Sequence, residues 1–547
     1  MAIGSPCAEV LMGSDQDGTA VRTDVDKALL GHATYRSLGE QRLSPAEERF
    51  ERARRTTGLW LAPLVTVAFL VAPVDLPAQQ HTLAAVLLGV IVLWVTEAVP
   101  IPVGGLIGVV AVVVLGVRPA DAALAPFGSS TIFTFIGAFI LAQAMLQTGL
   151  ARRFAFRILS LPGVGRSTTR IIVAFGVITA VLSAFVSNTA TVAMLLPTAL
   201  GLVGVIAKLL QDRGLVAPDF DPLRLRVGAA VVLMLAYGAS VGGLLTPIGT
   251  PPNLIGRGLI ETATGRRISF AEWTAMALPI CLVMFVLLVI VLLLVNRPEI
   301  RRVEGVEAYV RERRAELGRL SRAEKNVLVA FGVTVVLWIV PGVIALLDEN
   351  SWFFDEPADR LDEGVVAVLG ASLLFLLPVD WRAREFTMRW SDAARIDWGT
   401  ILLFGTGIIF GSLLDKTGLA KTIGTAASGA LGLTSLFAIT AFAAVLAIVV
   451  SETTSNTASA AVVVPIVIPI AVAAGVDPFV PGLAATFAAS FGFMLPVSTP
   501  QNAIAYGSGL VSITRMVRSG FAFDVLGAIL IILALPLMVT LVGGLIR

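Results

Sequence analysis

Apolar residues form about a dozen long runs along the chain after residue 57, and short polar loops separate them. Most runs approach the roughly 20 residues that a helix needs to cross a bilayer. Four runs, near 171–186, 191–208, 434–450 and 458–474, are shorter and come in two pairs. This pattern predicts an all-α polytopic membrane protein in which two pairs of short helices differ from the ordinary spans.

A polar and almost uncharged island separates the two runs of each pair. Residues 183–190 read SAFVSNTA and residues 451–458 read SETTSNTA, so both islands follow S-x-x-x-S-N-T-A. Non-helical backbone at membrane depth is tolerated only where protein or a water-filled cavity satisfies its polar groups. The short arms and polar tips therefore predict two re-entrant helical hairpins, around 171–208 and 434–474.

The repeat extends beyond the islands. Residues 147–152, QTGLAR, resemble residues 416–421, KTGLAK, and residues 249–253, GTPPN, resemble residues 498–502, STPQN. Five predicted crossings separate the first two segments, so the two halves of the chain should lie in opposite orientations. An inverted repeat is typical of secondary transporters, which bind their substrates near the middle of the bilayer.

Charged residues in the loops predict the orientation. Lys and Arg concentrate at 151–170, 297–325 and 382–395, whereas Asp and Glu concentrate at 348–363. Positively charged loops stay in the cytoplasm. With about eleven transmembrane helices plus the two hairpins, the N-terminus is predicted inside and the C-terminus outside the cell. The predicted units are a cytosolic tail (1–56), a first half (57–296), a cytosolic basic linker (297–325) and an inverted second half (326–547).

Composition narrows the class of function. The chain is 56% hydrophobic and 14% charged, whereas soluble domains carry about 25% charged residues. A net charge of +2 gives no reason to expect a nucleic-acid partner. The two histidines and two cysteines show no metal-binding spacing, and no nucleophile–base pair is visible, so we expect no enzyme activity. Rings of charge that would line a channel are also missing from the sequence.

The islands predict cation sites. The spacing S-x-x-x-S places two hydroxyls on one face of a helix. Together with the carbonyl groups at the end of the first arm, these oxygens suit a hard cation such as Na+. We therefore expect one cation site in each half: Ser183, Ser187, Asn188 and Gly249 in the first, and Ser451, Ser455, Asn456 and Ser498 in the second.

The second arm of each hairpin predicts an anion site, because a helix N-terminus presents unpaired N–H groups and a positive dipole. An anion between the islands would be held by Asn188, Thr189, Asn456 and Thr457, with Thr250, Pro251, Thr499 and Pro500 closing the sides. Neither island carries a basic residue, so bound cations must help to balance the anion.

Glu452 is the only charged residue in the islands. It could tune the second cation site or couple to protons, but a water-facing position at the hairpin tip is favoured.

The paired S-N-T and T-P motifs, with residues 490–498 reading SFGFMLPVS ahead of Asn502, resemble the divalent anion/sodium symporter family. The resemblance covers roughly residues 57–547. It implies a homodimer in the lipid bilayer of the inner (plasma) membrane, in which a mobile transport domain slides past a scaffold. It also implies Na+-coupled import of C4 dicarboxylates such as succinate, fumarate and malate. A Na+-independent dicarboxylate exchanger, or a transporter of citrate or sulfate, is the alternative within the family.

Overall fold

The computed structural model describes residues 45–217, 221–303, 305–347 and 360–545. Most of the predicted tail and most of the acidic loop at 348–363 therefore lie outside the described residues. The first helix begins at Pro45, within the predicted tail, continues without a break into the first predicted apolar run and ends at Val71. The described part of the predicted tail is thus the beginning of a long helix.

Before the first hairpin, each helix coincides with a predicted apolar run or with a polar connection. Prolines precede two of these helices, and they fit there because the first helical N–H groups need no partner within the helix. The helices are α1 (Pro45–Val71), α2 (Ala78–Thr96), α3 (Ile101–Val114), α4 (Ser130–Gln147) and the short α5 (Leu150–Leu159).

The first hairpin and its neighbours follow. The hairpin consists of α6 (Thr168–Ser183) and α7 (Asn188–Asp212), and the island lies at its tip. An interrupted span comes next, with α8 (Arg226–Gly243) and α9 (Pro251–Thr264) on either side of the break. The uninterrupted helix α10 (Phe270–Val295) completes the first half.

The second half repeats this order after a polar connection. The predicted linker contains α11 (Val306–Glu316), and the first helices of the second half are α12 (Arg322–Leu347), α13 (Glu363–Leu376), α14 (Trp398–Thr417) and α15 (Leu419–Leu431). The second hairpin is α16 (Leu436–Thr453) with α17 (Asn456–Ala473), followed by the interrupted pair α18 (Phe479–Ala488) and α19 (Pro500–Gly507), and by α20 (Ile513–Leu545).

The remaining elements are short. Strands Pro378–Asp380 and Glu385–Phe386 pair in antiparallel fashion between α13 and α14. The short helices are Ala120–Leu124, Ala125–Gly128, Val164–Arg166, Pro222–Arg224 and Trp390–Ala393. None of them interrupts the succession of long helices.

The packing of the helices follows the internal repeat. In the first half α6 packs along α8, and in the second half α16 packs along α18. The second arms of the hairpins cross over, because α7 packs against α19 of the other half and α17 packs against α9. Helix α8 lies at the centre, with every residue from Val227 to Gly243 buried, as is typical of a helix that is apolar on all sides.

The all-α, polytopic class is confirmed, and each predicted apolar run corresponds to a helix. Ten helices in the described part of the chain are long and apolar enough to cross a membrane. Helix α7 is one of them, at 25 residues. Re-entry of the hairpins therefore stays a prediction, as does the opposite orientation of the two halves.

Candidate cation and anion site

The first break in the helices gathers oxygen atoms around Asn188. The Ser183 hydroxyl, at the end of α6, donates a hydrogen bond to Asn188 Oδ1 at the start of α7. Gly243, at the end of α8, faces the same amide so closely that an added Cβ would lie 2.8 Å from Asn188 Oδ1. That Cβ position is 3.4 Å from the carbonyl oxygen of Gly249. The structure therefore brings together Ser183, Asn188 and Gly249, which the sequence predicts as cation ligands.

The second break repeats this arrangement. The Ser451 hydroxyl donates to Asn456 Oδ1 at 2.8 Å. Gly492 occupies the place of Gly243, 249 residues later, and its added Cβ would lie 2.9 Å from Asn456 Oδ1 and 3.3 Å from Ser451 Oγ. The same position is 3.0 Å from the Cβ of Ser498. Ser451, Asn456 and Ser498, the second predicted set, therefore also lie together.

A further asparagine fixes each loop. Asn253 Nδ2 donates to the carbonyl oxygens of Gly243 and Thr246, both at 2.8 Å. Asn502 Nδ2 makes the matching bonds, to Gly492 at 2.7 Å and to the carbonyl three residues further on at 3.1 Å. Both amides are fully buried, and within the described residues neither Oδ1 atom has a hydrogen-bond partner. The local motifs predict no role for these asparagines, although their shared spacing of 249 residues is a signal that could have identified them.

The second serine of each island lies at the beginning of a hairpin's second arm. The Ser455 hydroxyl accepts a hydrogen bond from the backbone N–H of Ala458 at 3.2 Å, as an N-cap residue does. Ser187 occupies the same position in the first half, but it is exposed and its hydroxyl caps no backbone N–H. Within the described residues, neither hydroxyl hydrogen-bonds to the buried clusters, so their part in cation binding stays a prediction.

The residues predicted to hold the anion lie at four helix starts. Asn188 and Asn456 are the first residues of α7 and α17, and the following residues, Thr189 and Thr457, are partly exposed. The buried Thr250 and Thr499 are the N-cap residues of α9 and α19, and Pro251 and Pro500 are the first helical residues. The predicted anion ligands thus lie where N–H groups are unpaired within the helices.

Hydrogen bonds join the two breaks across the halves. Gln501, the second residue of α19, donates through Nε2 to Ser240 Oγ at 3.0 Å, and Ser240 lies one turn before Gly243 on α8. Tyr237, one turn earlier, donates its hydroxyl to the carbonyl oxygen of Phe493 at 2.6 Å. Helix α8 therefore contributes to the first cluster at its end and supports the second loop along its length.

The water-facing position favoured for Glu452 is wrong. The residue is 4% exposed. Its Oε1 accepts a hydrogen bond from the backbone N–H of Met494 at 2.8 Å, and its Oε2 accepts one from Ser498 Oγ at 3.0 Å. The chain between α18 and α19 folds back over the hairpin tip, which the local sequence does not reveal. The carboxylate instead holds this loop next to a predicted cation ligand.

Known proteins match this chain along nearly its whole length. The family described as "Sodium:sulfate symporter transmembrane region" matches residues 55–544. The sodium-dependent dicarboxylate transporter SdcS of Staphylococcus saprophyticus is 32% identical over 503 residues, which cover 91% of this chain and 94% of the relative. SdcS of Staphylococcus aureus is 32% identical over 496 residues, covering 90% and 92%.

Two solved structures are more distant. The Alcanivorax borkumensis YdaH transporter has a TM-score of 0.45 at 15% identity, covering 90% of this chain and 98% of that one. MtrF of Neisseria gonorrhoeae, from a class of antimetabolite efflux pumps, has a TM-score of 0.48 at 13% identity, covering 88% and 94%.

Proposed function

Because this chain belongs to the sodium:sulfate symporter family, which confirms the resemblance seen in its motifs, we propose that it is a Na+-coupled symporter. Its proposed cargo is a C4 dicarboxylate such as succinate, fumarate or malate, imported across the plasma membrane. The name of the SdcS relatives, sodium-dependent dicarboxylate transporter, supports this choice of ion and substrate. The observation that carries the proposal is the pair of repeat-related oxygen clusters at the two helix breaks.

Each cluster would bind one Na+. Hydroxyl, amide and carbonyl oxygens are ligands that hard cations prefer, and Ser183, Asn188 and Gly249 supply all three kinds in the first cluster. The buried Oδ1 atoms of Asn253 and Asn502 have no hydrogen-bond partner within the described residues, which leaves them available as further oxygens near each break. An empty acceptor in a buried site is costly unless something satisfies it, and a cation would do so.

The dicarboxylate would lie between the two islands, with its carboxylates against the starts of α7 and α17. Helix N-termini stabilise anions through their dipole and free N–H groups. The basic residue on α9, Arg257, is not available, because it pairs with Glu261 at 2.9 Å and with Glu363 at 2.8 Å. The bound cations must therefore supply most of the compensating charge, which couples their movement to that of the anion.

For the transport step we propose an elevator movement in a homodimer. Helices α1 to α4 and α12 to α14 pack largely among themselves and would form the scaffold. The hairpins, the interrupted spans, α10 and α20 would move as the transport domain. Helix α9 packs against α14, and the Arg257–Glu363 pair joins the two groups of helices. If a dianion moves with more than two Na+, the membrane potential contributes about 2.3 kcal/mol per net charge per 100 mV.

The test is uptake of labelled succinate by proteoliposomes that contain the purified protein. Uptake should require a Na+ gradient and disappear when Na+ is replaced by K+ or choline. Unlabelled succinate, fumarate and malate should compete better than citrate or sulfate. Uptake that ignores Na+ and needs internal dicarboxylate would replace the proposal with exchange, and strong competition by citrate or sulfate would change the substrate.

The double variant Asn188→Ala with Asn456→Ala tests the site itself. Both amides lie in the two clusters, so we expect uptake to be lost. Asn326→Ala is the matched control. Asn326 lies at the start of α12, away from both clusters, and its Nδ2 donates a hydrogen bond to Thr387 Oγ1 at 2.8 Å. Full-rate uptake by the double variant would exclude the proposed site.

A further inference from the structure

An apolar cavity lies between the proposed scaffold and the second hairpin. Its volume is about 340 Å³, within the range of roughly 300–1,000 Å³ that ligand pockets occupy. Its walls come from the end of α1 and the connection after it, from α2, α14 and α15, and from α17, the second arm of that hairpin. Helix α15 packs closely along α17, whereas α2 touches α14, α15 and α17 only at a few points. These sparse contacts leave the space open.

The side chains that line the cavity are almost entirely apolar, and their two polar groups already have partners. Thr422 on α15 contributes a hydroxyl, which donates to Gln80 Oε1 at 2.9 Å. Trp94 on α2 contributes an indole N–H, which donates to the carbonyl oxygen of Ile101 at 2.9 Å. A buried water needs two to four polar partners, and cavities with apolar walls stay dry or take up apolar molecules. The chemistry of the walls therefore selects an apolar occupant.

The length and position of the cavity fit one extended hydrocarbon chain. On α2 the lining residues run from Ala84 to Trp94, which is about 15 Å of helix. Half of a bilayer's hydrocarbon core has about this thickness. Leu88, which also lines the cavity, is 36% exposed on a helix that is long and apolar enough to cross a membrane. The cavity therefore opens towards the surface that the bilayer covers, whereas the rings of Trp94 and Phe410 meet edge to face at its inner wall.

From this cavity we propose that the protein binds one acyl chain of a membrane phospholipid between α2, α14 and α17. An unfilled apolar cavity destabilises a fold in proportion to its volume, because the atoms of its walls lack dispersion contacts. The bilayer supplies acyl chains at the depth where the cavity lies. A bound chain adds contacts between α17 and the two scaffold helices, so it favours this arrangement of the two groups. That consequence rests on the elevator movement proposed above, whereas the binding itself requires neither Na+ nor cargo.

The test is photolabelling of the purified protein in proteoliposomes that contain a phosphatidylcholine with a diazirine on one acyl chain. Peptide mass spectrometry should find the label on Val90 and Trp94 of α2 and on Phe410 of α14. These lining residues are buried, so lipid that only surrounds the protein does not reach them. Leu533 on α20 is 62% exposed; it reports the surrounding lipid and should be labelled in every sample.

Two tryptophan substitutions separate the cavity from the surface. Ala84→Trp places an indole in the cavity and should remove the label from Val90, Trp94 and Phe410 while leaving that on Leu533. Ala68→Trp is the matched control, because it adds the same side chain at an exposed position of α1 outside the cavity. The control should keep the complete wild-type pattern.

The outcomes are distinct. Wild-type label confined to exposed residues such as Leu533 would overturn the site, whether the cavity is closed or a second copy covers it, and this result needs no variant. Label that persists on Val90 and Phe410 in a folded Ala84→Trp protein would overturn it as well. Label in the cavity from a diazirine fatty acid but not from the phospholipid would overturn the phospholipid as the source. Uptake that ignores Na+ would overturn the proposed symport function and leave the labelling result standing.

Discussion

Gly492 offers a direct test of the second cation site, because only a glycine fits beside the Asn456 amide. In Gly492→Ala the new Cβ would lie 2.9 Å from Asn456 Oδ1, 3.3 Å from Ser451 Oγ and 3.0 Å from the Ser498 Cβ. Non-bonded heavy atoms settle at roughly 3.5–4.0 Å, so the predicted ligands must move apart by about half an ångström. The change adds one methyl group and removes no ligand atom.

The size of the effect follows from this displacement. Disturbing the groups that orient metal ligands typically lowers metal affinity roughly 10–100-fold. We therefore expect the Na+ concentration for half-maximal succinate uptake to rise by about tenfold or more, which corresponds to about 1.4 kcal/mol. Because Gly492 lies in the loop between α18 and α19 and the added methyl group is crowded there, the stability of the variant must be measured alongside its Na+ affinity.

The assay is Na+ activation of uptake in proteoliposomes, with thermal unfolding measured in parallel. Gly332→Ala is the matched control, because Gly332 lies inside α12 and an added Cβ would meet nothing within 4 Å. The control should keep wild-type Na+ activation. If Gly492→Ala also keeps it while remaining folded, the oxygen cluster around Asn456 is not a cation site.

Two further predictions concern stability. Asn253→Ala removes two hydrogen bonds and leaves the Gly243 carbonyl without its side-chain donor, whereas the Thr246 carbonyl still accepts from the Gly249 N–H at 3.3 Å. The change should lower the free energy of unfolding by about 2 kcal/mol, seen as a lower Tm. Arg257→Ala leaves Glu363 without its cationic partner in a mostly buried setting and should cost about 3 kcal/mol. Adding Glu363→Gln should recover part of that loss in a double-mutant cycle, and additive losses would show that the pair is not coupled.

The sequence predicted the helices and the hairpin tips well, because both depend on local patterns. The two hairpins lie at Thr168–Asp212 and Leu436–Ala473, close to the predicted 171–208 and 434–474. A polar island within apolar sequence marks a helix break wherever it occurs, and its duplication marks the repeat. Gly249 and Ser498 were predicted as cation ligands because they occupy matching positions in the repeat, and both lie in their clusters.

The environment of single side chains was less predictable. The burial of Glu452 depends on Met494 and Ser498, which approach it only because the loop after α18 folds back. The loop-fixing bonds of Asn253 and Asn502 likewise depend on the path of the backbone, although the repeat spacing marks both residues. Contacts between residues far apart in the chain decide these cases, and no local period encodes them.

The two halves share the scaffold of the site but not its charge. Serine, asparagine and glycine occupy matching positions in both clusters, whereas Ala184 of the first island corresponds to Glu452 of the second. A pair of identical clusters would bind two cations and could only neutralise a dianion. The carboxylate of Glu452, which accepts hydrogen bonds from the Met494 N–H and from Ser498 Oγ, breaks this equivalence on one side of the repeat. Symmetry therefore accounts for the helix breaks that expose oxygen ligands, and its local failure at Glu452 ties the second loop to the hairpin tip by a contact that Ala184 cannot make in the first half.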